Sequence, residues 1–142
     1  MEPKPLTGRC LCGAVKFQLT PPVRDVIVCH CRQCAQWTGY AVAATAVAIE
    51  NFEVTKGAGE IGWYRSSGHA DRGFCKLCGS SLFWRPVDGA RMSVLAGSLE
   101  PPTGLHVGAH IFTANKSDYY QIGDGAPQYE AGAGAVAAVP KR

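Results

Sequence analysis

Three cysteines and a histidine fall within six positions, Cys29-His30-Cys31-Arg32-Gln33-Cys34, and four more cysteines form two close pairs, Cys10-Leu-Cys12-Gly13 and Cys75-Lys-Leu-Cys78-Gly79. Close thiols are the ligand set of a soft metal ion, and a glycine after the second thiol of a pair suits a metal knuckle. It can take a positive φ and let backbone N–H groups approach the sulfurs. Cys12-Gly13 and Cys78-Gly79 have that form, whereas Cys34 is followed by Ala35. The seven cysteines therefore divide into a closed set, Cys10, Cys12, Cys75 and Cys78, and a separate trio, Cys29, Cys31 and Cys34. The expectation is two zinc ions per chain. One ion on the closed set would tie off the long loop between the pairs. Its apparent binding energy of roughly 10–16 kcal/mol rivals the whole stability of a typical domain, ~5–15 kcal/mol.

The trio leaves more than one reading. In an extended C-x-C stretch alternate side chains face opposite ways, so Cys29 and Cys31 converge while His30 points away and makes a poor fourth ligand. One of His69, His106 and His110 could complete the set through the fold, or the fourth position could be left to water, as in catalytic zinc sites. Free or redox-active thiols are the other possibility. Three thiolates leave zinc with a net charge of about −1, a weak generator of hydroxide that suits a further sulfur ligand. The chemistry that follows is that of a bound thiol acting as a nucleophile.

The surrounding elements read as β-structure. Val15, Phe17 and Leu19 alternate with Lys16, Gln18 and Thr20, the period of a strand with one buried face. Further strand candidates are 25–29, 40–48, 52–55, 61–65, 81–85, 92–96 and 105–112, all short and separated by Gly and Pro. Arg32–Trp37 could form one helical turn. A chain of 142 residues suits one domain. The small-residue run after Tyr129 can bury little, so 130–142 is expected to be a flexible tail.

Composition excludes some classes. The 14 basic and 11 acidic residues are spread along the chain, unlike the clustered Lys and Arg of a nucleic-acid binder. No apolar run is long enough to span a membrane, and the N-terminus lacks the apolar core of an export signal. A cytoplasmic protein is expected, and in a reducing compartment its cysteines serve metal or chemistry before disulfides.

Gly8-x-Cys10-x-Cys12-Gly13, the Cys-His-Cys-x-x-Cys trio with Gly39 beyond it, Arg72-x-Phe-Cys75-x-x-Cys78-Gly-Ser80, Ala96-Gly-Ser-Leu-Glu-Pro-Pro102, His110-Ile111 and Asp124 together resemble the glutathione-dependent formaldehyde-activating enzyme family, which includes centromere protein V. Tyr120 stands where that family often has tryptophan and Glu100 where it often has aspartate. The resemblance covers residues 8–129, after an N-terminal arm of 1–7. It implies a mainly β fold of small antiparallel sheets in a β-tent arrangement. A structural zinc on Cys10, Cys12, Cys75 and Cys78 and a second, open zinc on Cys29, Cys31 and Cys34 are implied as well. The activity implied is that of a carbon–sulfur lyase adding glutathione, as co-substrate, to formaldehyde to give S-hydroxymethylglutathione. The competing readings are a zinc-stabilised interaction module and a thiol redox or metal sensor. His110 suits a structural or an active-site role equally. Arg72 could meet a glutathione carboxylate or make a surface ion pair, and Trp37 and Tyr40 read as packing beside the trio.

Overall fold

The computed structural model describes residues 4–132, so most of the expected tail lies outside the described residues. Ten strands and one α-helix follow in order: β1 Leu6–Arg9, β2 Lys16–Leu19, β3 Val26–Cys29, α1 Arg32–Thr38, β4 Val42–Ala48, β5 Phe52–Lys56, β6 Ile61–Arg65, β7 Ala70–Cys75, β8 Ser81–Pro86, β9 Arg91–Leu95 and β10 Val107–Ile111. The mainly β, mainly antiparallel class is as the sequence predicts. Two strands have no counterpart among the expected ones, β1 and β7. Leu6 and Thr7, placed in the N-terminal arm by the sequence, are the first residues of β1. The expected single turn at Arg32 is a seven-residue helix, capped at its N-terminus by Cys31 and closed by Gly39 in the left-handed region.

The strands form two sheets, β1-β2-β5 and the seven-stranded β10-β3-β4-β9-β8-β7-β6. All paired strands are antiparallel except β10, which runs parallel to β3. No helix among the described residues is long and apolar enough to cross a membrane.

Alternation along the strands decides where each side chain goes. Phe17 and Leu19 of β2 point inward with Val15, and all three are at most 1% exposed. They meet Leu82 and Phe83 of β8 and Met92 and Val94 of β9 in one cluster between the sheets. Phe83 sits at its centre, edge-on to Phe17 at 5.0 Å and to Phe52 at 5.2 Å, and stacked on Trp63 at 5.9 Å. Cys10 and Cys75 belong to the same cluster, which joins the closed cysteine set to the core.

Because Phe83 touches aromatic rings from three strands and is fully enclosed, truncating it leaves a cavity that the stiff sheets cannot close. Phe83→Ala is expected to cost about 3–5 kcal/mol, read as a drop in the urea midpoint without a change in slope.

Candidate metal centres

The closed set is built from two tight turns. Cys10 follows β1, and the Gly13 N–H donates to the Cys10 carbonyl at 3.1 Å. Cys75 ends β7, and the Gly79 N–H donates to the Cys75 carbonyl at 2.8 Å. Both glycines have the positive φ anticipated for a knuckle, +80° and +79°. The four sulfurs lie within 4.8 Å of one another. Cys10 and Cys12 sulfurs are 3.7 Å apart, and those of Cys12 and Cys75 3.9 Å. Sulfurs on a tetrahedral zinc, with bonds of about 2.3 Å, stand about 3.8 Å apart, whereas a disulfide needs about 2.05 Å. The set therefore fits a metal ion and not a disulfide. Two N–H and O–H groups soften the cluster's charge: the Val15 N–H meets Cys10 Sγ at 3.3 Å, and the Ser80 hydroxyl lies 3.1 Å from Cys78 Sγ. The Ser80 contact, aided by backbone N–H groups, holds the Cys78 thiol down to about 5.

Cys29, Cys31 and Cys34 converge from the end of β3, the helix N-cap and the first turn of α1, with their sulfurs also within 4.8 Å of one another. Cys31 accepts the Cys34 backbone N–H at 3.3 Å. Hydrogen bonds from the Cys29 and Cys34 thiols, reinforced by that N–H, push Cys31 down to about 2, while Cys29 is pushed up by its contacts with Cys31 and Cys34. One thiolate forms readily, and a second beside it meets its repulsion, so ionising all three calls for a cation in their midst.

No fourth His, Cys, Asp or Glu joins the trio among the described residues. His106 and His110 stand away from it, and His69 lines the neighbouring pocket without entering the sulfur cluster. His30 turns away, as the alternation requires. Its Nε2 is 2.9 Å from His110 Nδ1 and its Nδ1 2.7 Å from the Tyr120 hydroxyl, while His110 Nε2 lies 2.9 Å from Asp124. One consistent set of tautomers runs Tyr120 O–H to His30, His30 N–H to His110, and His110 N–H to Asp124, with both rings neutral. Burial, with His110 beside it, pushes His30 below its ordinary range. His110 is thus part of a buried polar chain behind the trio.

In front of the trio lies a cavity of about 500 Å³. Its floor is the face of the large sheet opposite the core. Ile27 and Cys29 of β3, Val42 and Ala44 of β4, and Arg91, Ser93 and Leu95 of β9 line it, and on β9 they alternate with Met92 and Val94, which point into the core. Register carries this face across the sheet: Arg72 pairs with Trp84, Trp84 with Ser93, and Ser93 with Ala46. Arg72, which the sequence offers to a surface ion pair, is 4% exposed. Its two Nη atoms reach Cys34 Sγ at 3.8 and 3.9 Å, Nη2 also donates to Gln33 Oε1 at 2.8 Å, and its guanidinium lies 4.7 Å over the Trp37 ring. Trp37 thus lines the pocket as well as packing there, whereas Tyr40 packs against Tyr120 outside it, the rings tilted with centroids 4.6 Å apart.

Arg24, Arg91, Trp84 and Ser93 are pocket residues that sequence reasoning missed. One signal was present: Arg24-Asp25 interrupts the apolar run from Val23 to Val28, and a charge inside a buried strand calls for a partner.

Two β-sheets joined at a four-thiol cluster, with a three-thiol cluster open to a pocket, define a β protein organised around two cysteine clusters that could each hold a metal ion. Residues 5–115 match the family described as glutathione-dependent formaldehyde-activating enzyme, and the chain belongs to that family. It is 30% identical over 82 residues to an uncharacterised lyase of Schizosaccharomyces pombe, a match spanning 58% of each chain. A crystal structure of a Rhodobacter sphaeroides protein shares the fold, with a TM-score of 0.58 at 22% identity over 69% of this chain and 91% of that one.

The two clusters should differ in what their loss does. Cys75→Ser, at a fully enclosed core position, is expected to abolish cooperative unfolding or leave insoluble protein, whereas Cys31→Ser should keep a cooperative thermal transition and lose one bound metal. A separate expectation concerns Arg72. Arg72→Met removes the guanidinium that donates to Cys34 and should weaken metal binding at the trio by about 10- to 100-fold, measured by competition with a chromophoric chelator.

Proposed function

We propose that the chain is a zinc-dependent lyase-type enzyme of carbon–sulfur bonds, joining a thiol, with glutathione as the type, to a small aldehyde such as formaldehyde. The product of that pair is S-hydroxymethylglutathione. The observation that carries this reading is the trio of sulfurs with no fourth protein ligand among the described residues, opening onto a pocket. Zinc held there by Cys29, Cys31 and Cys34 would supply a soft position that favours a thiol in its deprotonated form. The second zinc, on Cys10, Cys12, Cys75 and Cys78, would be structural. Seven free thiols agree with a reducing cytoplasm.

The addition balances simply. The sulfur loses its proton, a carbon–sulfur bond forms as the carbonyl π bond opens, and the carbonyl oxygen gains a proton. Residues of the chain prepare that step. Arg72 holds Cys34 in place and offsets negative charge among the sulfurs. Trp37, Ile111 and Phe112 line the pocket with apolar surface, which would strengthen charge interactions inside it once a substrate fills it. His69, exposed along the pocket lining, would be the side chain to exchange that proton with solvent.

Elemental analysis should find two zinc ions per chain. In cobalt-substituted protein, reduced glutathione should alter the visible spectrum at millimolar concentration, near −4.1 kcal/mol of binding for a dissociation constant of about 1 mM. Oxidised glutathione and S-methylglutathione, which lack a free thiol, should not. Equal responses to all three, or none to the reduced form, would leave a zinc-stabilised interaction module as the better reading.

A further inference from the structure

The zinc pocket carries more positive charge than its sulfurs can use. Arg24, Arg72 and Arg91 all line it, no Asp or Glu does, and no ion pair joins any of the three to a carboxylate among the described residues. Arg72 is committed to Cys34 and Gln33. The other two are not so placed. Arg24 is 6% exposed and is fixed by donating Nε to the Asp25 carbonyl at 3.3 Å and Nη2 to the Ala44 carbonyl at 3.0 Å, which leaves Nη1 uncommitted. The Arg91 side chain makes no hydrogen bond among the described residues. Its Nε is enclosed without a partner, and its guanidinium lies 5.6 Å from the Trp84 ring centre. Burial, and the nearby positive charge of Arg91, hold Arg24 down to about 10. Ser93, two residues along the same face of β9, is 6% exposed and its hydroxyl is likewise without a partner among the described residues.

Two guanidiniums brought together at a partly apolar wall, with open donors and no anion of the protein's own, cost free energy that an incoming anion would recover. Formaldehyde has no anionic group to pair with them. We propose that Arg24, Arg91 and Ser93 form a carboxylate-binding subsite in the zinc pocket, so that a substrate of this enzyme presents a carboxylate to this wall while its reacting atom sits at the trio. The inference rests on the thiol–aldehyde reading for the reaction, but not for the binding of the carboxylate. Planar guanidiniums match a carboxylate's two oxygens, and the Ser93 hydroxyl adds a third donor. The carboxylate can arrive on the thiol, as in a thiol-containing peptide or acid, or on the aldehyde, as in a 2-oxo acid.

The test uses full-length, cobalt-substituted protein and two matched pairs of probes. For the thiol, 3-mercaptopropionate is compared with 2-mercaptoethanol by spectral titration; for the aldehyde, glyoxylate is compared with acetaldehyde in turnover with 2-mercaptoethanol. At least one acid should be preferred by about tenfold or more, and the pair that shows it identifies the source. Arg91→Gln, which removes no hydrogen bond within the described fold, should reduce that preference to about one, while Arg91→Lys keeps part of it. Arg24→Gln should act in the same direction provided its melting curve stays cooperative. No preference in either pair, or one that survives Arg91→Gln unchanged, would overturn the subsite. If no thiol perturbs the cobalt spectrum, the zinc–sulfur reading fails instead. Calorimetry of 3-mercaptopropionate then decides the arginine site alone: heat lost in Arg91→Gln supports it, and equal heats overturn it.

Discussion

Four sulfurs convergent at one edge of the core tie the two sheets together. Cys10 leaves the three-stranded sheet and Cys75 ends a strand of the seven-stranded one, so a metal ion held by the cluster would bridge the layers directly. Hydrophobic contact between the layers is carried by a few large side chains, chiefly Phe17, Phe52 and Phe83. A small domain gains much from one cross-link that spans a long stretch of chain. The placement of the trio depends on that arrangement too, because β3 and α1 hang on the same large sheet that the cluster anchors at its other side.

The sulfur trio is held from two directions. In front, Arg72 grips Cys34. Behind, His30 is fastened through both ring nitrogens, to Tyr120 on one side and to His110 and then Asp124 on the other. Since His30 lies between two of the cysteines, a ring fixed at both nitrogens fixes the peptide that presents Cys29 and Cys31. Buried polar chains of this kind specify geometry when every member is satisfied, as each is here.

Much of the metal chemistry was legible in the sequence, because spacing and following glycines are local signals. The division of cysteines into four and three follows from those local signals, and the inward alternation of Val15, Phe17 and Leu19 and the turning away of His30 follow from the two-residue period of extended chain. What was not legible depends on pairing between distant strands. β7 hides in Ala-Asp-Arg-Gly-Phe-Cys, where a buried Arg72 breaks the expected apolar pattern, and β1 hides in a short run holding Gly8 and Arg9. The arginine wall is legible only after register sets Ser93 beside Trp84 and Trp84 beside Arg72. The partners of His110 were equally out of reach, since His30 lies 80 residues before it.

β9 serves two masters within five residues. Met92 and Val94 fill the core, while Arg91, Ser93 and Leu95 face the ligand cavity. Because each set occupies alternate positions, changes to one face need not disturb the other, and the specificity of the cavity is free to drift while the core stays fixed. The same economy makes the strand intolerant of frameshift in space. A one-residue insertion or deletion would carry the guanidinium of Arg91 into the apolar layer and turn Met92 and Val94 toward the sulfurs, exchanging the two faces at once.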